Sequence, residues 1–203
     1  MLKKLLKNTK FRIVIKEFFR EYEEKIIDII LFGSVVRGKE FPKDIDILVI
    51  YKSNQDFKLN RLLKNLINKI GINVEITSKV YKDLFDPTFI AREALLSEGY
   101  SLIQDIFISE GLGYNDFYLF RYDLRNFKKS SRMRFYYSLY GRKKEETGML
   151  KKLNSYKFSE RILITPIVEV EKMREYLDRW NIKYVEFPVI IPTRIIKSKI
   201  FED

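Results

Sequence analysis

The sequence predicts an α/β (α+β) protein: a small mixed sheet flanked by helices, followed by a basic helical segment and a small β-α-β module. Three observations carry that expectation. The runs Ile26–Phe32 (IIDIILF), Lys43–Ile50 (KDIDILVI) and Gly71–Thr77 (GINVEIT) have the length and apolar content of strands. Apolar stripes at helical spacing precede the first run and separate the second from the third. The two halves differ in charge. Residues 1–105 carry 19 Lys/Arg against 15 Asp/Glu, whereas residues 106–203 carry 20 against 13.

The first helix is expected over Lys10–Glu24, with Phe11, Val14, Ile15, Phe18 and Phe19 on one face. The buried strand Ile26–Phe32 follows and is bounded by Gly33. A glycine there permits positive φ or a close backbone approach, and Ser34 offers a hydroxyl at the start of a short helix. Such a strand–turn–helix corner aims backbone N–H groups outward, where they can cradle phosphate oxygens. Arg37 can add a bidentate phosphate contact, while Lys39 and Lys43 serve as point charges. The Walker A pattern is absent. On the next strand Asp44 and Asp46 point to one face beside Leu48 and Ile50, while Ile45, Ile47 and Val49 take the other. Two adjacent anions repel each other and resist desolvation, so a divalent cation that neutralises both accounts for the pair. In the alternative reading the strand starts at Ile47 and both aspartates lie in a solvated turn. The helix Phe57–Ile70 carries a core stripe of leucines and isoleucines, and Gly71 stops it. In the third strand Asn73, Glu75 and Thr77 share the polar face.

Composition narrows the chemistry. The chain has neither cysteine nor histidine, so disulfides and thiolate or imidazole metal sites are excluded. Any metal must be a hard ion held by oxygen, which points to Mg2+ or Mn2+. The basic N-terminus is interrupted by Lys7, Asn8, Lys10 and Arg12, unlike a signal peptide, and no stretch approaches 18 apolar residues. A cytoplasmic protein with no membrane partner is expected.

Taken together, Gly33-Ser34, Arg37-Gly38 and Asp44-x-Asp46 resemble the signature of the nucleotidyltransferase superfamily that includes DNA polymerase beta. The closest resemblance is to the minimal nucleotidyltransferases, and it covers about residues 10–105. It implies that Gly33, Ser34 and Arg37 bind the nucleotide and that Asp44 and Asp46 are catalytic metal ligands. The third catalytic carboxylate and metal ligand would be Glu75, where the family more often has aspartate. Phe89–Gln104 reads as the helix, Gly99 stop and short strand that close such a domain. The implied activity is Mg2+-dependent transfer of a nucleoside monophosphate from an NTP, ATP foremost, to an acceptor.

A boundary is expected in Ile108–Asn115 (ISEGLGYN), dividing a catalytic domain over residues 1–107 from a basic domain over 114–203. Phe117–Asp123 fits a strand or a helix start. Ser130–Tyr140 is expected as a helix capped by serine and ended by Gly141. Its Met133, Tyr136, Tyr137 and Tyr140 form a stripe that reads as core, or as rings for stacking bases beside Arg132 and Arg134. The window Arg121–Lys144 holds nine basic residues against Asp123 alone. Arg121, Arg125, Lys128, Lys129, Arg132, Arg134, Lys143 and Lys144 are the candidates for nucleic-acid binding. Strand Arg161–Thr165, helix Val168–Trp180 and strand Lys183–Ile191 complete the chain. RNA is the expected acceptor. The rivals are adenylylation of a protein, as in antitoxin-type minimal nucleotidyltransferases, and a non-catalytic RNA- or ribosome-binding protein of the same fold.

Overall fold

The computed structural model describes residues 2–142 and 147–196. The chain divides into two compact units at Leu112 and Gly113.

The first unit contains α1 (Leu2–Leu6), α2 (Thr9–Glu21), β1 (Ile26–Phe32), β2 (Ile45–Tyr51), α3 (Phe57–Lys69) and β3 (Val74–Val80). It ends with α4 (Arg92–Glu98), β4 (Tyr100–Ser101), β5 (Ile106–Phe107) and α5 (Ile108–Gly111). Its sheet has the order β3-β2-β1-β4-β5. β2 and β3 are parallel, joined through α3, and the other pairs are antiparallel, so the sheet is mixed as expected. Asn8 and Asp56 start α2 and α3 by accepting backbone N–H groups in the first turn. The cap at Asn8 separates α1 from α2, a break that the helical reading from Lys10 did not include.

Alternation on the strands divides this sheet into two faces. Ile29, Leu31, Ile47 and Val49 are fully buried on one, and α2 and α3 contribute the buried Phe11, Ile15, Leu63 and Ile67. On the other face Ile30, Leu48 and Ile50 pack with Leu95 of α4. This second face carries the candidate site. Asp46 lies opposite Phe32 on β1 and opposite Glu75 on β3.

The second unit contains β6 (Tyr114–Asp123), α6 (Lys129–Tyr140), α7 (Met149–Lys152), β7 (Tyr156–Ser159), β8 (Ile162–Pro166), α8 (Val170–Arg179), β9 (Lys183–Pro192) and α9 (Thr193–Ile196). Its sheet is antiparallel throughout, in the order β7-β8-β6-β9. The major elements therefore run β-α-β-β-α-β, with the first and third strands central. This is the ferredoxin-like arrangement. Phe120, Tyr122 and Leu163 are buried on the face that receives Phe135 and Leu139 of α6 and Met173 and Leu177 of α8. Phe135 packs edge-on against Tyr122 and Trp180.

Two readings of this half change. The sequence places the core of α6 on the Met133–Tyr140 stripe, but Phe135 and Leu139 are buried while Met133, Tyr137 and Tyr140 are exposed. The strand β6 sets the helix's rotation through the Tyr122–Phe135 contact, and no local periodicity announces it. Lys128 occupies the N-cap of α6 in place of Ser130.

Candidate active site

Gly33 has φ +78 at the end of β1, in the left-handed region that favours glycine. A Cβ on Gly33 would lie 2.6 Å from Asp46 Oδ2. Both reasons for a glycine, conformation and close approach, therefore meet at one residue. Residues Gly33–Val35 form one 3-10 turn in which Val36 N–H and Arg37 N–H donate to Gly33 O. The first N–H groups of such a turn have no acceptor within it. Ser34 stands in this turn, half-buried.

Asp44 and Asp46 straddle the start of β2. The strand begins at Ile45, two residues later than the sequence run suggests, so Asp44 occupies the exposed bend and Asp46 the first outward position of the strand. Burial pushes the Asp46 carboxyl above its usual range. The charges of Asp44 and Glu75 push it further, while Arg37 pulls it back. One half-buried anion is thus crowded by two others.

Glu75 shares the face with Asp46 through the parallel register, but its carboxylate turns to Lys64 of α3 at 3.4 Å. Arg37 donates to Glu98 Oε2 at 2.5 Å, and Glu98 is buried at the end of α4. Sequence reasoning missed Lys64 and Glu98, because neither belongs to a motif: Lys64 comes from the helix just before β3 and Glu98 from 61 positions beyond Arg37. Among the described residues no group of three carboxylates is gathered closely enough to hold a metal. The donors nevertheless fit a hard divalent ion. They are all oxygen, and the charge crowding at Asp46 is of the kind that such an ion relieves.

A cavity of about 210 Å³ is lined by Phe32, Leu48 and Thr77, next along the same sheet face from Asp46 and Glu75. Phe32 faces Asp46 across the strands, and Leu48 and Thr77 follow Asp46 and Glu75 by two residues on the same face. Phe89 and Leu95 form its other wall, with Lys79 Nζ 5.1 Å from the Phe89 ring centroid. The sequence offers no pattern for this cavity, whose walls come from four elements.

The basic candidates are carried by different elements of the second unit. Arg121 and Arg125 line a second cavity, of about 350 Å³, together with Arg161 and Lys183. Arg132 is bound to its own unit, donating to Leu124 O and Arg125 O. Lys128, Lys129 and Arg134 are exposed along α6. Lys143 and Lys144 lie outside the described residues.

No helix among the described residues is long and apolar enough to cross a membrane. No curated protein sequence matches the chain. Solved structures similar to it include a chain from a toxin–antitoxin crystallised with AMP-PNP, at 22% identity and TM-score 0.36, covering 45% of this chain and 71% of that one. A chain from a mutant of the toxin–antitoxin MntA-HpeT aligns at 20% identity and TM-score 0.36, over 45% and 70%. A chain from the complex of tri-AMPylated Shewanella oneidensis HEPN toxin with MNT antitoxin aligns at 19% identity and TM-score 0.34, over 55% and 84%. Residues 14–99 match the model of the family described as Polymerase beta, Nucleotidyltransferase.

Proposed function

We propose that the first unit transfers a nucleoside monophosphate from an NTP, with ATP as the nucleotide, to a hydroxyl of RNA. The observation that carries the transfer reading is the crowding of Asp46, half-buried beside Asp44 and pressed against the Gly33 turn, and the 20 Lys/Arg against 13 Asp/Glu of residues 106–203 favour a polyanionic acceptor. A carboxylate held so is costly unless a cation joins it. Asp44 and Asp46 would hold Mg2+ or Mn2+, which supplies neutralisation of phosphate charge when bound. Glu75 completes the set on the acceptor side once Lys64 releases it.

In the reaction the acceptor oxygen attacks the α-phosphorus, the bond from that phosphorus to the bridging β-oxygen breaks, and pyrophosphate leaves. The hydroxyl proton departs to solvent or to a carboxylate of the site. The chain contributes mainly positioning and electrostatics. Gly33 and Ser34 present backbone N–H groups to the phosphates. The base fills the cavity walled by Phe32, Leu48 and Phe89. Arg37, tied to Glu98, keeps positive charge beside Asp46 and acts as a positioning residue there.

Incubation with each α-labelled NTP and Mg2+, first with total RNA and then with cell protein, tests the reading. Labelled RNA that disappears with Asp44→Asn/Asp46→Asn is the expected result. Label on protein alone would replace the acceptor, and no label on either would overturn the activity.

A further inference from the structure

We propose that the open face of the second unit's sheet binds single-stranded RNA, with one phosphate seated in a pocket built by Arg121, Arg125, Arg161 and Lys183. The inference deepens the reading of RNA as acceptor and rests on it for the identity of the polyanion. It relocates the nucleic-acid surface from helix α6 to the sheet.

The sheet's two faces are assigned by contacts and alternation. Tyr184 and Glu186 of β9 point to the helices, where Tyr184 meets Phe120 and Glu186 pairs with Arg174 of α8. Lys183, Val185 and Phe187 therefore point the other way. Arg121 lies opposite Val185, Leu119 opposite Phe187, and Asp123 opposite Lys183, so all six share the face turned away from α6 and α8. An antiparallel sheet commonly leaves one face to solvent, but a solvated face is normally polar. Here Val185 is 65% exposed and Phe187 is 47% exposed. At the far end of the face, Ile196 of α9 closes over Phe117, Tyr156 and Ile164. The end at Arg121 is where the cationic pocket opens.

The charge of that pocket selects the occupant. Four cations line it against one carboxylate, Asp123. Asp123 is already taken, since Arg125 donates to it through Nε at 2.8 Å and through its backbone N–H at 2.9 Å. These bonds hold the Asp123 carboxyl down at about 2. Among the described residues Arg121, Arg161 and Lys183 have no ion-pair partner and are exposed. Three strand ends, far apart in sequence, thus converge three uncommitted cations on one cavity. Planar guanidinium groups match phosphate bidentately. An exposed phenylalanine beside a phosphate site is the arrangement that stacks an unpaired base while its backbone is held. A duplex hides its base faces and cannot use Phe187, so a single strand is the fitting polyanion.

The test uses the full chain and a fluorescein-labelled oligouridylate of about twelve nucleotides, followed by anisotropy at several KCl concentrations. Wild type should bind with a negative salt slope of about 0.7 per phosphate neutralised. Arg161→Ala/Lys183→Ala should flatten that slope by about 1.4 and weaken binding at least ten-fold at low salt. Phe187→Ala should keep the slope and lose about five-fold or more in affinity, the scale of one stacked base. ATP binding should be unchanged in both variants. Equal slopes for wild type and the double variant, no binding by wild type at low salt, or equally tight binding of a duplex of the same length would overturn the proposal. RNA that binds through this pocket but never acquires label would leave the surface standing and remove RNA as the acceptor.

Discussion

The carboxylate corner of the first unit and the cationic pocket of the second are both charged sites, yet they are made in opposite ways. Gly33, Ser34, Arg37, Asp44 and Asp46 fall within fourteen positions of sequence, and two neighbouring strands bring them together. Arg121, Arg161 and Lys183 are spread over more than sixty positions and meet only because β8 and β9 flank β6. A further difference lies in the state of each charge. Asp46 in the first site is half-buried and crowded by the exposed Asp44 and Glu75, while the cations of the second are exposed and largely unpaired. Crowding under partial burial stores unfavourable energy that only a ligand relieves. Exposed like charges cost little and wait for a polyanion. One site is therefore expected to be sensitive to every substitution, the other to change binding alone.

The largest expected effect separates the two sites outright. Asp44→Asn/Asp46→Asn should lower nucleotide transfer by about a thousand-fold or more, on the scale of several kcal/mol assigned to metal-assisted charge stabilisation. The same variant should unfold no more easily than wild type in chelator-treated buffer, because two repelling anions are gone. RNA affinity should be unchanged. Transfer measured by release of labelled pyrophosphate checks the first statement, and retained turnover would remove the two aspartates from the chemistry.

This asymmetry also explains how much could be read from sequence. The strands, the Gly33 turn and the outward direction of Asp46 follow from local rules, since a period of two and a glycine stop act over a few residues. The partners of the site do not. Glu98 comes to Arg37 across 61 positions, and Lys64 comes to Glu75 from a helix whose legible content is its leucine stripe. In the second half the strand run Lys183–Ile191 is legible, but Lys183 has no visible relation to Arg121 until the sheet order is known. The exposed Phe187 reads as an ordinary strand residue. The tyrosine stripe of α6 misleads for a related reason: helical spacing gives a face but not which face the sheet covers, and the core falls on Phe135 and Leu139.

The next largest effect sharpens the contrast between a committed cation and a free one. Arg37 is mostly buried and its partner Glu98 almost wholly so. Arg37→Met should destabilise the protein by about 2–4 kcal/mol, because Glu98 is left as a buried charge without its guanidinium. Adding Glu98→Gln to Arg37→Met should recover a large part of that loss. By contrast Arg161→Ala/Lys183→Ala should stay within about 0.5 kcal/mol of wild type. Urea unfolding of the four proteins makes the comparison. If Arg37→Met were as mild as the double alanine variant, the idea that Arg37 is a structural cation beside the site would fail.

The smallest effect separates burial from crowding within the first unit itself. Asp28 lies on the same sheet face as Asp46, four register pairs along β1, and burial raises its carboxyl pKa as it does for Asp46. Its neighbours act in the reverse sense. Ser101 Oγ donates to Asp28 Oδ1 at 2.9 Å and Ile29 N–H at 2.7 Å, and both bonds lower the pKa that burial raises. Asn at position 28 can still accept both bonds, so Asp28→Asn isolates the cost of the buried charge. With the folded pKa above the unfolded value of 3.8, the native state holds the proton more tightly, and stability is lost as pH rises through the folded pKa. The asparagine variant should therefore be slightly more stable than wild type at pH 7, with the advantage disappearing as pH falls toward the unfolded value. Denaturation at both pH values measures it. A difference that stays constant with pH would mean that the two hydrogen bonds already offset the burial of Asp28, in contrast to Asp46, which Asp44 and Glu75 crowd.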